Sequence, residues 1–275
     1  METLAERAER ELSDILAQYT AGEAEVVREY FARPHTREEY LDILRRHMGR
    51  ELFPVNKLAH AATLVPELER TVDRHRFADL LTGIAEEFGH YTLVADVAEW
   101  LLGRPLTPDE AREYEVFAAP YPGLPRERQY NPRLPDANAM LDLIWRYRDE
   151  DPSEFHTEVQ RLTEGGGGAA FLEGGRLSGD EFRERYAAAM RAIAAEELDH
   201  GPHRVPGFVA KYVQTEADLA RAASLLRELM AQHLRVRNEM FAYPLSPERL
   251  AAIDRGEIEP WPMTAATPAP AEQRA

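Results

Sequence analysis

The 275-residue chain contains no cysteine. Disulfides, thiolate zinc sites, iron–sulfur clusters and cysteine nucleophiles are therefore excluded. Any metal ion that the chain binds must be held by histidine and carboxylate side chains, which suit iron, manganese and similar ions. Nine histidines and 49 acidic residues are present to supply such ligands.

Long apolar runs are also missing, and none approaches the roughly 18–20 residues that a membrane-spanning helix needs. The first residues, from Met1 to Arg7, are of mixed charge and lack the apolar segment of a secretory signal. We therefore expect no membrane partner and a cytoplasmic location.

Basic residues are few relative to acidic ones, with 33 Lys and Arg against 49 Asp and Glu and a formal net charge of −16. A phosphate backbone would be repelled by this charge, so no nucleic acid is expected as a partner. The excess of acid suits cation binding, although solubility alone accounts for such a charge. Hydrophobic residues make up 44% of the chain, as is ordinary for a folded domain.

Apolar residues recur at helical spacing and nowhere alternate as in a strand, so the pattern predicts an all-α protein. We expect a single helical domain over residues 1–258 and a disordered tail, rich in Ala and Pro, over residues 259–275. Prolines, glycines and capping residues mark the helix ends. The predicted helices cover residues 2–19, 23–32, 36–65, 76–102, 107–118, 136–174 with a break at Pro152, 178–201, 215–242 and a short segment near 246.

Two of these helices each carry a Glu-x-x-His motif, Glu87–His90 and Glu197–His200. Residues three apart share one face of a helix, and in both helices that face is otherwise apolar. Charged groups on a buried face are costly unless they are paired or bound to metal. The two motifs therefore predict that the two faces meet across a pair of metal ions.

A carboxylate-bridged metal pair needs one further Glu from each of two more helices. Facing ligands in an antiparallel helix pair should lie roughly 25–36 residues apart. This spacing selects Glu51, which lies 36 residues before Glu87, and Glu164, which lies 33 residues before Glu197. Glu158 is an alternative to Glu164, whose neighbours at helical spacing are mixed in character.

The ligand on the helix of Glu51 has two histidine alternatives. His47 lies one turn before Glu51 and could replace or supplement it. His60 lies nine residues after Glu51, about 180° around the helix, and should face elsewhere.

Four consecutive glycines, Gly165 to Gly168, follow Glu164 directly. Each glycine inside a helix costs about 0.8–1 kcal/mol relative to alanine, so the run needs a reason. One interpretation is an opened turn that leaves room for substrate beside Gly168; the other is a loop that ends the helix. Tyr91, next to His90, is a second candidate for the pocket, with a core role as its alternative.

The set Glu51, Glu87–His90, Glu164 and Glu197–His200 resembles, in order and spacing, the ligand set of the ferritin-like di-iron carboxylate superfamily. The resemblance covers about residues 36–205. It implies a ferritin-like four-helix bundle, here with additional N- and C-terminal helices.

An acidic residue precedes each ligand motif, giving Glu86-Glu87 and Glu196-Glu197. Both doublets are similar to the motifs of bacterial multicomponent monooxygenases and ribonucleotide reductase small subunits. The likeness implies that Glu86 and Glu196 orient a metal-bound histidine of the opposite motif. The sequence departs from the monooxygenase motif at Gly89 and Asp199, where arginine is usual. The run from Glu86 to His90 also looks like a helix of manganese catalases.

These resemblances imply an oxidoreductase that activates dioxygen at two iron ions and oxidises a small organic substrate. Without cysteine for an iron–sulfur cluster, electrons would come from a separate donor. Two alternatives stay open: peroxide dismutation at two manganese ions, and a non-catalytic metal-binding protein of the same fold. Association into a homodimer is compatible with either.

Overall fold

The computed structural model describes residues 2–55, 61–62, 64–116, 130–150, 154–163, 166–197 and 204–259. This part of the chain is all helical and contains no strand, which confirms the all-α prediction. None of the helices in it combines the length and the apolarity needed to cross a membrane. The eleven α-helices of the described ranges are α1 (Leu4–Phe31), α2 (Arg37–Val55), α3 (Arg74–Leu102), α4 (Pro108–Ala111), α5 (Pro135–Glu150), α6 (Glu154–Leu162), α7 (Gly166–Gly174), α8 (Glu181–Glu197), α9 (Val205–Tyr212), α10 (Glu216–Met240) and α11 (Pro247–Asp254).

Helix α1 is continuous, so the prediction of two separate N-terminal helices was wrong. Gly22, near the expected junction, is a site of close packing rather than a break. A Cβ atom at Gly22 would lie 3.1 Å from Ile253 Cγ2 and 3.2 Å from Leu234 Cδ1. The glycine therefore allows α1 to approach α10 and α11 closely.

One large hydrophobic cluster joins the first helix to the last, so the terminal helices belong to the core. Helix α1 packs mainly against α7 and α10, while α2 packs along α3 and α3 along α8. A buried ion pair between Glu23 and Arg237, 3.1 Å from Oε2 to Nε, also links α1 to α10. The cluster includes Leu12, Val27, Leu44, Val94, Ile193, Leu226 and Ile253.

Helix starts follow the predicted capping residues. Thr36 and Glu39 exchange hydrogen bonds at the start of α2, as do Thr215 and Asp218 at the start of α10. At its end, α3 stops at Gly103, whose φ of +70° is readily adopted by glycine. These local signals identified helix ends within a few residues.

Three expectations about helix extent need correction. The helix predicted over residues 136–174 with a break at Pro152 is divided once more, so that it forms α5, α6 and α7, and the one predicted over 107–118 ends as α4 at Ala111. Helix α9 was not predicted, although Pro206 suits the first turn of a helix. The tail from residue 260, the end of the helix predicted over 178–201 and part of the 36–65 helix lie outside the described residues.

The back of α2 lies against the segment that follows α4. A Cβ atom on Gly49 would overlap the backbone carbonyl of Tyr114. Tyr114 is itself held to α2, because its hydroxyl donates to Asp42 and its ring lies 4.7 Å from the Arg46 guanidinium. Close backbone contact at Gly49 thus sets the position of α2 two residues before Glu51.

We expect Gly49→Ala to destabilise the fold by about 1–3 kcal/mol, because the methyl group must displace the Tyr114 backbone. Without this overlap, alanine in a helix would stabilise by up to about 1 kcal/mol. Gly83→Ala on α3 is the matched control, since nothing in the described part of the chain lies within 4 Å of its added Cβ. Urea unfolding of both variants measures the difference, and equal effects would contradict the close contact.

Candidate metal centre

Helices α2 and α3 bring Glu51, Glu87 and His90 together. One ligand atom from each of the three lies within 4.8 Å of the others. His90 Nδ1 is 3.7 Å from Glu51 Oε2 and 3.6 Å from Glu87 Oε2. Half of the predicted ligand set therefore meets at one point, as the spacing in the sequence predicted.

Apolar neighbours on both helices place this point at the edge of the core. Met48 on α2 and Val94 on α3 are fully buried, each about one turn from Glu51 or His90. The Glu51 side chain is 5% exposed and that of His90 3%, whereas that of Glu87 is 28% exposed. The group thus has a closed side at Glu51 and a more open side at Glu87.

Helix α8 contributes Glu196, whose Oε2 lies 3.0 Å from His90 Nε2. This contact leaves Nδ1 as the His90 nitrogen that faces Glu51 and Glu87. It joins the acid that precedes one motif to the histidine of the other, as the resemblance implies for such an acid. Glu86 is half-buried, and its expected partner His200 lies outside the described residues.

His47 lies beside this group on α2. Its Nε2 is 2.8 Å from Glu51 Oε1, and its Nδ1 is 3.3 Å from the hydroxyl of Tyr186 on α8. The face of the ring is stacked on Phe171 from α7. His47 therefore joins α2, α7 and α8 at the closed side of the site.

The protonation of the site follows from burial and close pairing. Burial raises the pKa of Glu51, but the close imidazoles of His47 and His90 outweigh it and hold that pKa well below its usual range. Burial lowers the pKa of His90, but the nearby carboxylates of Glu51 and Glu87 raise it to about 11. In the metal-free protein a proton on His90 therefore offsets carboxylate charge, and a bound cation would take its place.

The structure does not describe the positions of the other predicted ligand side chains. Glu164, His200 and the alternative His60 lie outside the described residues, and Glu197 ends α8 with its side chain not described. Glu158, the alternative to Glu164, lies on α6 and pairs at 2.7 Å with Arg161. These ligands stay predictions.

The two pocket candidates differ in their surroundings. Tyr91 is half-buried and packs on Phe88 with ring centroids 5.6 Å apart. Gly168 is buried in the first turn of α7, and no atom of the described residues lies within 4 Å of an added Cβ. Gly166 to Gly168 therefore open a helix, whereas Gly165 lies outside the described residues, and the two interpretations of the run stay predictions.

Two features near the site could not be found from the sequence. Helical spacing places Tyr186 only on an apolar face, although its hydroxyl contacts His47. The buried pair of Glu23 with Arg237 was not noticed, and the Arg237 guanidinium lies 5.2 Å from the Phe171 ring. Helical spacing placed Tyr186 on the inward face, but no local pattern signals a pairing between residues 214 positions apart.

Comparison with protein-family models, curated proteins and solved structures finds no match for this chain. The case for a metal centre therefore depends on the positions and the chemistry of its own side chains. Among the described residues, the ones that support a metal centre lie on α2, α3 and α8.

The pKa of His90 makes the stability of the metal-free protein depend on pH. Its value of about 11 lies above the unfolded value of about 6.5. The stabilisation is therefore complete below about pH 6.5 and decreases as pH rises toward 11. We expect the stability advantage of the wild type over His90→Gln, measured by urea unfolding with a chelator, to shrink between about pH 6.5 and 9.5. An advantage that does not change with pH would contradict these pairings.

We expect Glu196→Gln to weaken metal binding by about 10–100-fold, because it removes the carboxylate that orients His90. Glu184→Gln removes an exposed carboxylate from the same helix and should leave affinity unchanged. Titration of both metal-free variants with Mn²⁺ measures the effect. Equal affinities would mean that the Glu196–His90 contact does not support the site.

Proposed function

We propose that the protein is an oxidoreductase that activates dioxygen at two metal ions and oxidises a small organic substrate. One observation carries the proposal: Glu51, Glu87 and His90 converge within 4.8 Å of one another at the edge of an apolar core. Buried charges of this kind are costly unless they are compensated, and a cation between them compensates two carboxylates at once.

The residues fit such metal ions in kind and in number. Imidazole and carboxylate without thiolate suit iron and manganese. A metal pair bridged by carboxylates takes ligands from four helices, and α2 and α3 supply one half of that set. We propose that Glu164, Glu197 and His200 supply the other half. Two iron ions bound there would supply the electron transfers to dioxygen.

The chain's own residues prepare the site for this role. The low pKa of Glu51 keeps its carboxylate ionised and ready to bind a cation over the physiological pH range. Glu196 holds His90 so that Nδ1 faces the other ligands. Apolar side chains behind Glu51 exclude water, whereas the more exposed Glu87 marks the side from which small molecules reach the centre. Because the chain has no cysteine, electrons come from a separate donor.

Metal analysis and dioxygen uptake test the proposal. We expect protein loaded with Fe²⁺ under anaerobic conditions to retain about two ions per chain and to consume dioxygen in the presence of a reductant. Retention of no metal, or of zinc alone without redox activity, would overturn the proposal. Peroxide dismutation by the manganese-loaded protein without reductant would support the manganese alternative instead.

We expect Glu51→Ala to lower metal content sharply, because it removes the most buried carboxylate of the site. Metal added to the wild type should also raise its melting temperature, and this rise should be lost in the variant. Glu38→Ala is the matched control, as it removes an exposed carboxylate from the first turn of the same helix. Equal metal content in both variants would show that α2 does not bind the ion through Glu51.

A further inference from the structure

His47 has a place in the site that the predicted six ligands leave unexplained. It lies one turn before Glu51, so the two side chains share one face of α2. The side chain of His47 is only 1% exposed. A buried imidazole is costly unless both ring nitrogens have partners, so each nitrogen needs an explanation.

The Nδ1 side of the ring has a partner. The hydroxyl of Tyr186, which is itself fully buried, lies 3.3 Å from Nδ1. Phe171 stacks on the ring face, with centroids 5.9 Å apart and planes within 9° of parallel. These two contacts set the direction in which Nε2 points.

The Nε2 side has a close neighbour but no aligned hydrogen bond. Glu51 Oε1 is 2.8 Å away, yet it lies off the hydrogen-bonding direction of Nε2, and no other group of the described residues bonds to that nitrogen. Two ligand atoms each about 2.0–2.2 Å from one ion, at right angles, lie about 3 Å apart. The observed distance is therefore that of two neighbouring ligands on one metal ion.

We infer that His47 is an additional metal ligand, which binds through Nε2 to the same ion as Glu51. Its Nδ1–H donates to the Tyr186 hydroxyl, as a metal-bound histidine usually donates its other N–H to a nearby oxygen. Tyr186 then acts as a positioning residue that fixes the tautomer and the orientation of the ring.

This assignment makes the two metal positions unequal. The ion at α2 and α3 gains His47 beside Glu51, Glu87 and His90. The second position, as proposed from Glu164, Glu197 and His200, has three ligands against the four of the first. We expect the first ion to bind more tightly, because each added imidazole ligand strengthens binding of iron, manganese or cobalt.

Titration of the metal-free full-length protein with Co²⁺, followed by visible absorption, tests the assignment. Both His47→Gln and His47→Leu should weaken binding of the first ion by about 100-fold or more and change its absorption bands, since a ligand is lost. Tyr186→Phe should weaken it less, by about 10-fold, as is usual when a hydrogen-bonding partner of a ligand is removed.

Retained wild-type bands and affinity in His47→Gln would overturn the assignment, because the glutamine amide can still donate to Glu51 but is a poor ligand. His35→Gln is the matched control. The His35 side chain is also 1% exposed, and its ring stacks on Tyr30 instead of facing the site. This variant should lower the stability of the metal-free protein while leaving Co²⁺ binding unchanged. A metal-free melting temperature that falls in both His47 variants as in His35→Gln, with Co²⁺ binding unchanged, would instead show a structural role.

The inference rests on the proposed function, but the two fail in different ways. A wild-type protein that binds no Co²⁺, Fe²⁺ or Mn²⁺ would overturn both. Wild-type binding that the His47 substitutions leave intact would overturn only the assignment of His47. Circular dichroism of the metal-free variants shows whether each is folded, and if His47→Leu is not, His47→Gln decides the outcome.

Discussion

The candidate site depends on one constraint: the negative charge of the buried Glu51 carboxylate must be compensated by nearby positive charge. Glu51 lies almost fully inside an apolar core and keeps a low pKa because two histidine imidazoles lie close to its carboxylate. Those histidines come from two helices, so the charge of one carboxylate sets how α2 and α3 must face each other. Without a metal, a proton held on His90 supplies part of the compensation. The metal-free fold is therefore already arranged around a positive charge.

The polar contacts of the site form a continuous path that begins and ends on one helix. It runs from Tyr186 on α8 through His47 and Glu51 on α2 and His90 on α3, and it returns to α8 at Glu196. Three helices are thus joined by side chains whose burial decreases toward Glu196. The long helix α1 packs against α7, which in turn packs against α8, and α10 packs against α1. Helices α1 and α10 support the site through apolar contacts and through the ion pair between Glu23 and Arg237.

Features that depend on neighbours close in sequence could be predicted, and those that depend on distant contacts could not. Helix starts followed from capping residues, and the facing of Glu51 and Glu87 followed from helical spacing and the length of a helix pair. The continuity of α1 did not, because Gly22 is explained by Ile253, which lies at the other end of the chain. Spacing also placed His47 on the inward face, but the direction of its nitrogens depends on Tyr186 and Phe171. Which residues face the site was thus easier to predict than the directions of their polar atoms.

The close approach of Gly49 to Tyr114 has a mechanical consequence for the centre. Two residues along a helix correspond to about 200° of rotation, so Gly49 lies on nearly the opposite side of α2 from Glu51. The backbone of Tyr114 contacts one side of α2, and α3 packs on another. These contacts restrict both translation of α2 and rotation about its axis. Any movement of the Glu51 carboxylate must then come from rotation about its own side-chain bonds. Gly49, the smallest residue in α2, thus allows the close backbone contact that fixes the position of this helix.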